Sequence, residues 1–226
     1  MAPLKKSSAT EPKAKRRSPV ARRSAGKPRR ADLTKIALIE AAERLIAKKG
    51  LANVTTRAIL DEAGQKNQSA LQYHFGSKDG LIGATINERT RQIDKVRLTM
   101  LESMPDEPSL RQIYQALVYP LRDLIKNDAA GKNYLSFLAQ AATRPSWELR
   151  KIIRDFDITG MERCYEHYDK LLCHLSEEER LLKQNAAFDI TILTLKRWCM
   201  TPKKKAMSLE QITEFLVDTS LAIIAA

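Results

Sequence analysis

Residues 67–81, NQSALQYHFGSKDGL, gather the side chains of this chain that are best suited to chemistry. Tyr73, His74 and Phe75 stand together, and Gly76 closes the run. A histidine in such a setting can act as a catalytic base, bind a metal, or donate a hydrogen bond to a phosphate oxygen. No nucleophile or carboxylate partner is evident nearby, so the run does not predict catalysis. Contact with phosphate and simple packing at a helix end remain as the two interpretations of His74.

A second group combines potential metal ligands. Cys164, His167 and His174 fall on one broad face of a predicted helix, and Cys173 falls opposite. Their spacing matches no common metal motif, and Cys164 lies on the apolar stripe of that helix. We therefore expect these side chains to pack rather than to bind a metal, and we predict no cofactor. Three cysteines without a CxxC pair indicate free thiols in a reducing, cytoplasmic compartment.

The elements that must position these residues are helices. The chain of 226 residues contains only eight glycines and is rich in Ala, Leu, Ile, Lys, Arg and Glu, which are strong helix formers. This composition predicts an all-α protein with a real core. No apolar run approaches the length of a membrane span, and the N-terminus lacks the apolar stretch of a secretory signal, so no membrane partner is expected.

The net charge of +12 is concentrated at the N-terminus. Residues 1–30 contain five Lys and six Arg but a single Glu, together with Pro and Ser and no apolar periodicity. Such a block cannot bury enough surface to fold, so we predict a disordered basic arm over 1–30. An arm that binds DNA, a targeting segment and a merely solvated tail remain open as its roles.

Apolar periodicity and capping signals predict nine helices beyond this arm. Thr55 and Ser77 are predicted N-caps, and Ser109, Ser176 and Ser208 each begin a capping box. The predicted helices cover about 33–49, 56–64, 68–74, 77–104, 109–127, 132–143, 146–173, 177–199 and 208–225. Residues 31–78 should form a three-helix unit and 79–226 a larger helical domain, joined by the fourth helix.

The second and third helices are separated by a short turn after Gly64. That arrangement predicts a helix-turn-helix, whose second helix enters the DNA major groove. Polar side chains of the types that read base edges stand on its outer side, and side chains that suit phosphate oxygens flank them. The base-reading candidates are Lys66, Asn67, Gln68, Ser69 and Gln72, and the phosphate candidates are Thr55, Thr56, Arg57, Tyr73, His74 and Lys78.

The run LIEAAERLIAKKGLANVTTRAILDEAGQKNQSALQYHFGSKDGL resembles the N-terminal domain of tetracycline-repressor (TetR) family transcriptional regulators. The similar features are the AAxxLIxxxG helix, the TT opening, the AG turn, the YHF triplet and the following SK. Two features depart from the common pattern. Gln72 stands where many members have an aromatic residue, and the stretch from Gly64 to Tyr73 is one residue longer, which leaves the register of base contacts open.

The resemblance implies a non-enzymatic, all-α homodimer that binds a palindromic operator in double-stranded DNA. It also implies a C-terminal pocket for a small-molecule effector that releases the DNA, and the aromatic content favours an apolar effector. Residues that could line the pocket, each with ordinary core packing as the alternative, are Tyr114, Tyr134, Phe137, Trp147, Phe156, Met161, Cys164 and Tyr168. Predicted dimer contacts in the last two helices are Ile190, Leu193, Arg197, Ile212, Leu216 and Ile223.

Two hypotheses therefore come from the sequence. The first is a ligand-responsive DNA-binding regulator, most simply a repressor. The second is a helical interaction module whose basic tail binds nucleic acid without sequence preference. Binding to specific and to random DNA discriminates between them.

Overall fold

The computed structural model of the protein describes residues 30–127, 129–143, 151, 155, 158–202 and 207–226. Within these residues the regular structure is nine α-helices and one short 3-10 helix, with no strand, so the predicted all-α class is confirmed. None of these helices is long and apolar enough to cross a membrane. The elements are α1 (Arg30–Lys49), a 3-10 turn (Leu51–Asn53), α2 (Thr56–Glu62), α3 (Ala70–Phe75), α4 (Lys78–Glu102), α5 (Leu110–Asn127), α6 (Ala129–Ala142), α7 (Thr159–Leu171), α8 (Glu177–Met200) and α9 (Leu209–Ala225).

Local capping sets most of the helix starts. The side-chain oxygens of Thr55 and Ser77 each accept a hydrogen bond from the backbone N–H three residues later, as predicted. The three predicted capping boxes are also present, at Ser109–Gln112, Ser176–Glu179 and Ser208–Gln211. These contacts satisfy backbone donors that a helix start would otherwise leave free.

The first three helices pack around a small apolar centre. Ile46 of α1, Ile59 of α2 and Leu71 of α3 are almost fully buried in it. Gly64 and Gly76, with φ of +66° and +70°, end α2 and α3 in a left-handed conformation that favours glycine. The chain can therefore change direction sharply on both sides of α3.

Helix α4 connects this unit to the remaining helices. Its 25 residues span roughly 37 Å. Arg89 on α4 holds Glu43 on α1 through two hydrogen bonds of 2.7 and 2.8 Å, and Glu43 is only 2% exposed. Because this ion pair is bidentate and largely buried, α1 and the first half of α4 are fixed to each other.

Helices α5 to α9 form the larger part of the core. Helix α9 packs against α5 and α8, while α6 packs against α8 on one side and α1 on the other. Ile113, Phe137, Leu195 and Leu216 are fully buried among them. Helix α6 is therefore in contact with both parts of the chain.

Several predicted helix boundaries are wrong, and one predicted segment cannot be compared. Helix α1 begins at Arg30 instead of 33, α3 at Ala70 instead of 68, and α6 at Ala129 instead of 132. The helix predicted over 146–173 is not continuous, because Ile158 has a non-helical backbone (φ −86°, ψ 77°) and α7 begins after it. The predicted arm lies outside the described residues, apart from Arg30, which begins α1.

Candidate nucleic-acid interface and ligand cavity

The turn between α2 and α3 carries most of the residues predicted to read bases. Lys66, Asn67, Gln68 and Ser69 are all exposed, but they precede α3 and do not lie on it. The Asn67 side chain accepts a hydrogen bond from the backbone N–H of Ser69 at 2.9 Å, which stabilises the turn. The polar groups predicted for helix three therefore project mainly from an ordered turn.

Helix α3 presents an aromatic side chain to solvent. Ala70 and Leu71 are buried and fix the helix, whereas Gln72 is exposed and Tyr73 is 81% exposed. His74 is half-buried, and its ring stands perpendicular to that of Tyr73 with centroids 5.0 Å apart. A tyrosine so exposed on a well-packed element is available for contact with another molecule.

The start of α2 adds donors beside this helix. Thr55, Thr56 and Arg57 are all exposed. The Thr55 oxygen accepts from the backbone N–H of Ala58 at 3.2 Å, and its own hydrogen is left to donate. Arg57 pairs with Asp61 at 3.0 Å, but an exposed pair of this kind contributes little and can be exchanged for a phosphate. We call residues 55–57, 66–69 and 72–74 the recognition surface.

Lys78 lies in the first turn of α4, as predicted, and its ammonium already has partners within the chain. Its half-buried ammonium donates to the carbonyl oxygens of Leu51, at 2.9 Å, and of Val54. Two of its three donors are thus directed into the chain and not towards the recognition surface. Lys78 therefore holds the 3-10 turn against the start of α4, and its contact with phosphate stays a prediction.

A residue that the sequence reasoning missed ties the same turn to α6. The Gln140 side-chain oxygen accepts from the Leu51 N–H at 2.7 Å, and its amide donates to the Ile46 carbonyl at 3.0 Å. The amide also donates to Ser136 on its own helix, at 3.1 Å. One α6 side chain therefore contacts the end of α1 and the turn that follows it. A glutamine in a helix gives no sequence signal for such a role.

A cavity of about 70 Å³ lies among α4, α5, α6, α7 and α8. Four of the eight predicted pocket residues line it, while Phe137 and Cys164 are buried outside its wall. Trp147 and Phe156 lie outside the described residues. The four in the wall are Tyr114, Tyr134, Met161 and Tyr168, and apolar neighbours include Ile93, Leu117, Leu121, Leu138 and Phe188.

The tyrosine hydroxyls in the cavity wall differ in whether they already have a hydrogen-bond partner. The hydroxyls of Tyr134 and Thr90 are 3.2 Å apart and hydrogen-bonded, and the Tyr168 hydroxyl donates to the Arg180 carbonyl at 3.0 Å. The Tyr114 hydroxyl is buried and has no hydrogen-bond partner among the residues that the structure describes. Burial raises the pKa of both Tyr114 and Tyr134 above the usual range, so both hydroxyls stay protonated.

A buried ion pair borders the cavity and begins α7. Arg97 donates to Asp94 at 2.6 Å, and also to the carbonyl of Ala116 on α5 at 3.0 Å. The Asp94 carboxylate accepts from the backbone N–H groups of Gly160 and Met161, at 2.7 and 3.0 Å. A carboxylate of α4 thus replaces the missing N-cap side chain of α7. A Cβ at Gly160 would lie 2.7 Å from an Asp94 oxygen, so this position requires glycine.

Comparison with known proteins identifies the N-terminal unit. Residues 38–85, from α1 to the start of α4, match the family model of bacterial regulatory proteins, tetR family. This segment belongs to the TetR family. The TetR-family segment contains the recognition surface together with Lys78. No curated protein matches the chain by sequence.

The fold of the chain beyond the TetR-family segment is also similar to that of solved structures. A protein from Shewanella sp. PV-4 named as a tetR family regulator is 17% identical, with a TM-score of 0.58 over 84% of this chain and 95% of its own. The fatty acid degradation regulator FadR from Bacillus halodurans is 16% identical, with a TM-score of 0.55 over 83% and 94%. NalD of Pseudomonas aeruginosa, the secondary repressor of the MexAB-OprM multidrug efflux pump, is 18% identical, with a TM-score of 0.52 over 85% and 96%. The chain has the fold of TetR-family transcriptional regulators.

The last two helices of this TetR-type fold expose an apolar surface. Ile190 and Leu193 on α8 are 38% and 41% exposed, and Arg197 is exposed beside them. Ile212 and Ile223 on α9 are half-buried. Leu216 is fully buried in the core of its own chain, which corrects its prediction as a dimer contact. Phe215, the neighbour of Leu216 on α9, is exposed, and it was not among the predicted dimer contacts.

The metal interpretation of Cys164 is not supported. In the described part of the chain, no three His, Cys, Asp or Glu side chains are placed to hold a metal ion. Cys164 is fully buried, and burial raises the pKa of its thiol to about 12. Of the two candidate histidine ligands, His174 is exposed and His167 is half-buried. Cys164 therefore packs in the core as a small apolar side chain.

Proposed function

We propose that the protein is a ligand-responsive transcriptional regulator that binds a palindromic operator as a homodimer. The observation that carries this proposal is the recognition surface, where an 81% exposed Tyr73 stands among exposed amides, hydroxyls and a lysine on a rigid helix-turn-helix. These groups are the donors and acceptors that protein–DNA interfaces use. Residues 31–78 are the DNA-binding domain in this proposal, and residues 79–226 bind the effector and the second subunit.

Contacts with DNA divide into two classes. The first class binds backbone phosphates and sets the register of the domain on the DNA. It consists of Thr55, Thr56, Arg57, Tyr73 and His74. The polar groups from Lys66 to Ser69, together with Gln72, read base edges from the turn and the start of α3. The basic arm of residues 1–30 adds phosphate contacts. Removing the arm should therefore weaken binding and reduce its dependence on salt concentration.

Dimerisation follows from the need to read a palindrome with two equivalent recognition surfaces about one DNA turn apart. The exposed apolar residues of α8 and α9 support a four-helix interface made of two helices from each subunit. Substituting Ile190→Glu and Leu193→Glu together should turn a dimer into a monomer in sedimentation experiments. The matched control is Leu171→Glu, which changes a similarly exposed leucine on α7 and should leave the dimer intact.

The effector acts through the two helices that touch both the cavity and the DNA-binding domain. Helix α6 contributes Tyr134 to the cavity wall and Gln140 to the contact with α1, and α4 contributes Thr90 to the wall and Arg89 to the pair with Glu43. A ligand that fits only a rearranged cavity favours a dimer whose recognition surfaces are wrongly spaced. The operator is then released, so the simplest role is that of a repressor, as NalD is in name.

Selection from a genomic DNA library tests this function. Purified full-length protein should enrich a palindromic sequence and bind it far more tightly than a scrambled version. Equal binding to both DNAs would favour a helical interaction module with a sequence-indifferent basic tail.

A further inference from the structure

The part of the cavity wall that the structure describes offers no free charge to a ligand. Arg97 is the one charged side chain in the described part of the wall, and it is 2% exposed. Its guanidinium is already neutralised by Asp94 at 2.6 Å. A ligand with a net charge would lose its hydration without gaining a counter-charge, which is strongly unfavourable in a buried site.

The Tyr114 hydroxyl in the wall has no hydrogen-bond partner among the described residues. Burial raises the pKa of the Tyr114 hydroxyl and the neighbouring Tyr168 hydroxyl raises it further, but no group in the described chain is close enough to form a hydrogen bond of normal geometry with it. Tyr168 donates its own proton to the Arg180 carbonyl. Because Tyr114 stays protonated, its O–H can donate to an acceptor that enters the cavity.

We propose that the cavity takes an uncharged, largely apolar molecule with one hydrogen-bond acceptor, which the Tyr114 hydroxyl binds. This inference rests on the proposed effector role of the cavity and names the class of effector. Leu117, Leu121 and their apolar neighbours bury the body of the molecule, while Tyr114 distinguishes it from a plain hydrocarbon. An acceptor on the ligand would satisfy a hydroxyl that is buried without a partner in the described chain, and leaving such a group unsatisfied is unfavourable.

Four probes of similar size test the proposal: acetophenone, ethylbenzene, benzoate and benzylammonium. Dissociation constants are measured by calorimetry or ligand-observed NMR with the full-length protein near neutral pH. We expect acetophenone to bind about 5- to 10-fold more tightly than ethylbenzene, the equivalent of one net hydrogen bond, and both to bind better than the two ions. Tightest binding by benzoate or benzylammonium would overturn the inference.

Two matched variants assign the preference to one hydroxyl. Tyr114→Phe should bring acetophenone to the affinity of ethylbenzene and should leave the thermal midpoint equal or higher, because it removes an unsatisfied buried group. Tyr134→Phe makes the same change in the same wall but breaks the bond to Thr90, so it should lower the midpoint and keep the preference for acetophenone. An unchanged preference in Tyr114→Phe would refute the assignment.

A complete lack of binding by the four probes would overturn the inference, since the cavity would then not take small apolar molecules. Operator binding is measured without any probe, so that result would leave the DNA-binding function standing.

Discussion

Substitution of Asp94 should destabilise the fold more than substitution at most other positions of the chain. Its carboxylate pairs with buried Arg97 and accepts from the two N–H groups that begin α7. Replacing Asp94 with alanine removes all three contacts and leaves a guanidinium that is 2% exposed without its counter-ion. Breaking a buried pair in this way costs about 3–5 kcal/mol, a large fraction of the roughly 5–15 kcal/mol that stabilises a typical domain.

Denaturant unfolding followed by circular dichroism measures this cost. The control is Asp61→Ala, which breaks the exposed pair with Arg57 at 3.0 Å and should cost less than about 1 kcal/mol. Arg97→Met in the Asp94→Ala background removes the uncompensated charge, so the double variant should lose about 2 kcal/mol less than the sum of the single variants. A loss below about 1 kcal/mol for Asp94→Ala, or simple additivity in the double variant, would refute the reasoning.

Three further predictions concern coupling, thiol reactivity and pH. Gln140→Ala should keep operator affinity but weaken release of the DNA by the effector, because it breaks the contacts of α6 with the 3-10 turn and with the end of α1. A DNA-binding titration measures this, and unchanged release would exclude coupling through Gln140. A maleimide should label exposed Cys173 quickly and leave Cys164 unmodified in the native protein, because the Cys164 thiol is buried with its pKa raised to about 12. Hydrogen bonds from Ser176 lower the pKa of Glu179, so its stabilising contribution is present at neutral pH and is lost as the pH falls through that lowered value. Glu179→Gln should therefore show a smaller fall in thermal midpoint than the wild type between about pH 7 and about pH 3, and an identical fall would contradict this.

Local signals predicted the helices well, because they depend on neighbours within a few residues. The three capping boxes form between side chains three positions apart, so the sequence alone contains the whole interaction. The same holds for the N-caps at Thr55 and Ser77. The start of α3 was missed because Asn67 stabilises a turn at the point where continuous helix was expected.

Contacts between distant segments could not be predicted from the sequence. The start of α7 is capped by Asp94, which lies 66 residues before Gly160 in the chain. Likewise, the hydrogen bonds from the Lys78 ammonium to the carbonyls of Leu51 and Val54 join residues 27 and 24 positions apart, and no local pattern indicates them. Leu216 fits an apolar stripe that could face inward or outward, and only packing against other helices decides between the two.

The most direct test of the central claim measures how operator affinity depends on the exposed end of α3. The Tyr73→Ala, His74→Ala double variant should fold normally, because Tyr73 is 81% exposed and His74 only half-buried. A matched double variant, Lys170→Ala with Leu171→Ala, changes exposed residues of α7. Each is titrated with the selected palindrome and with scrambled DNA at several salt concentrations, both full-length and as residues 31–226. The α3 variant should lose its preference for the palindrome, whereas the α7 variant should keep it. Equal binding to both DNAs that survives the α3 substitutions and vanishes with residues 1–30 would show that the recognition surface does not read DNA.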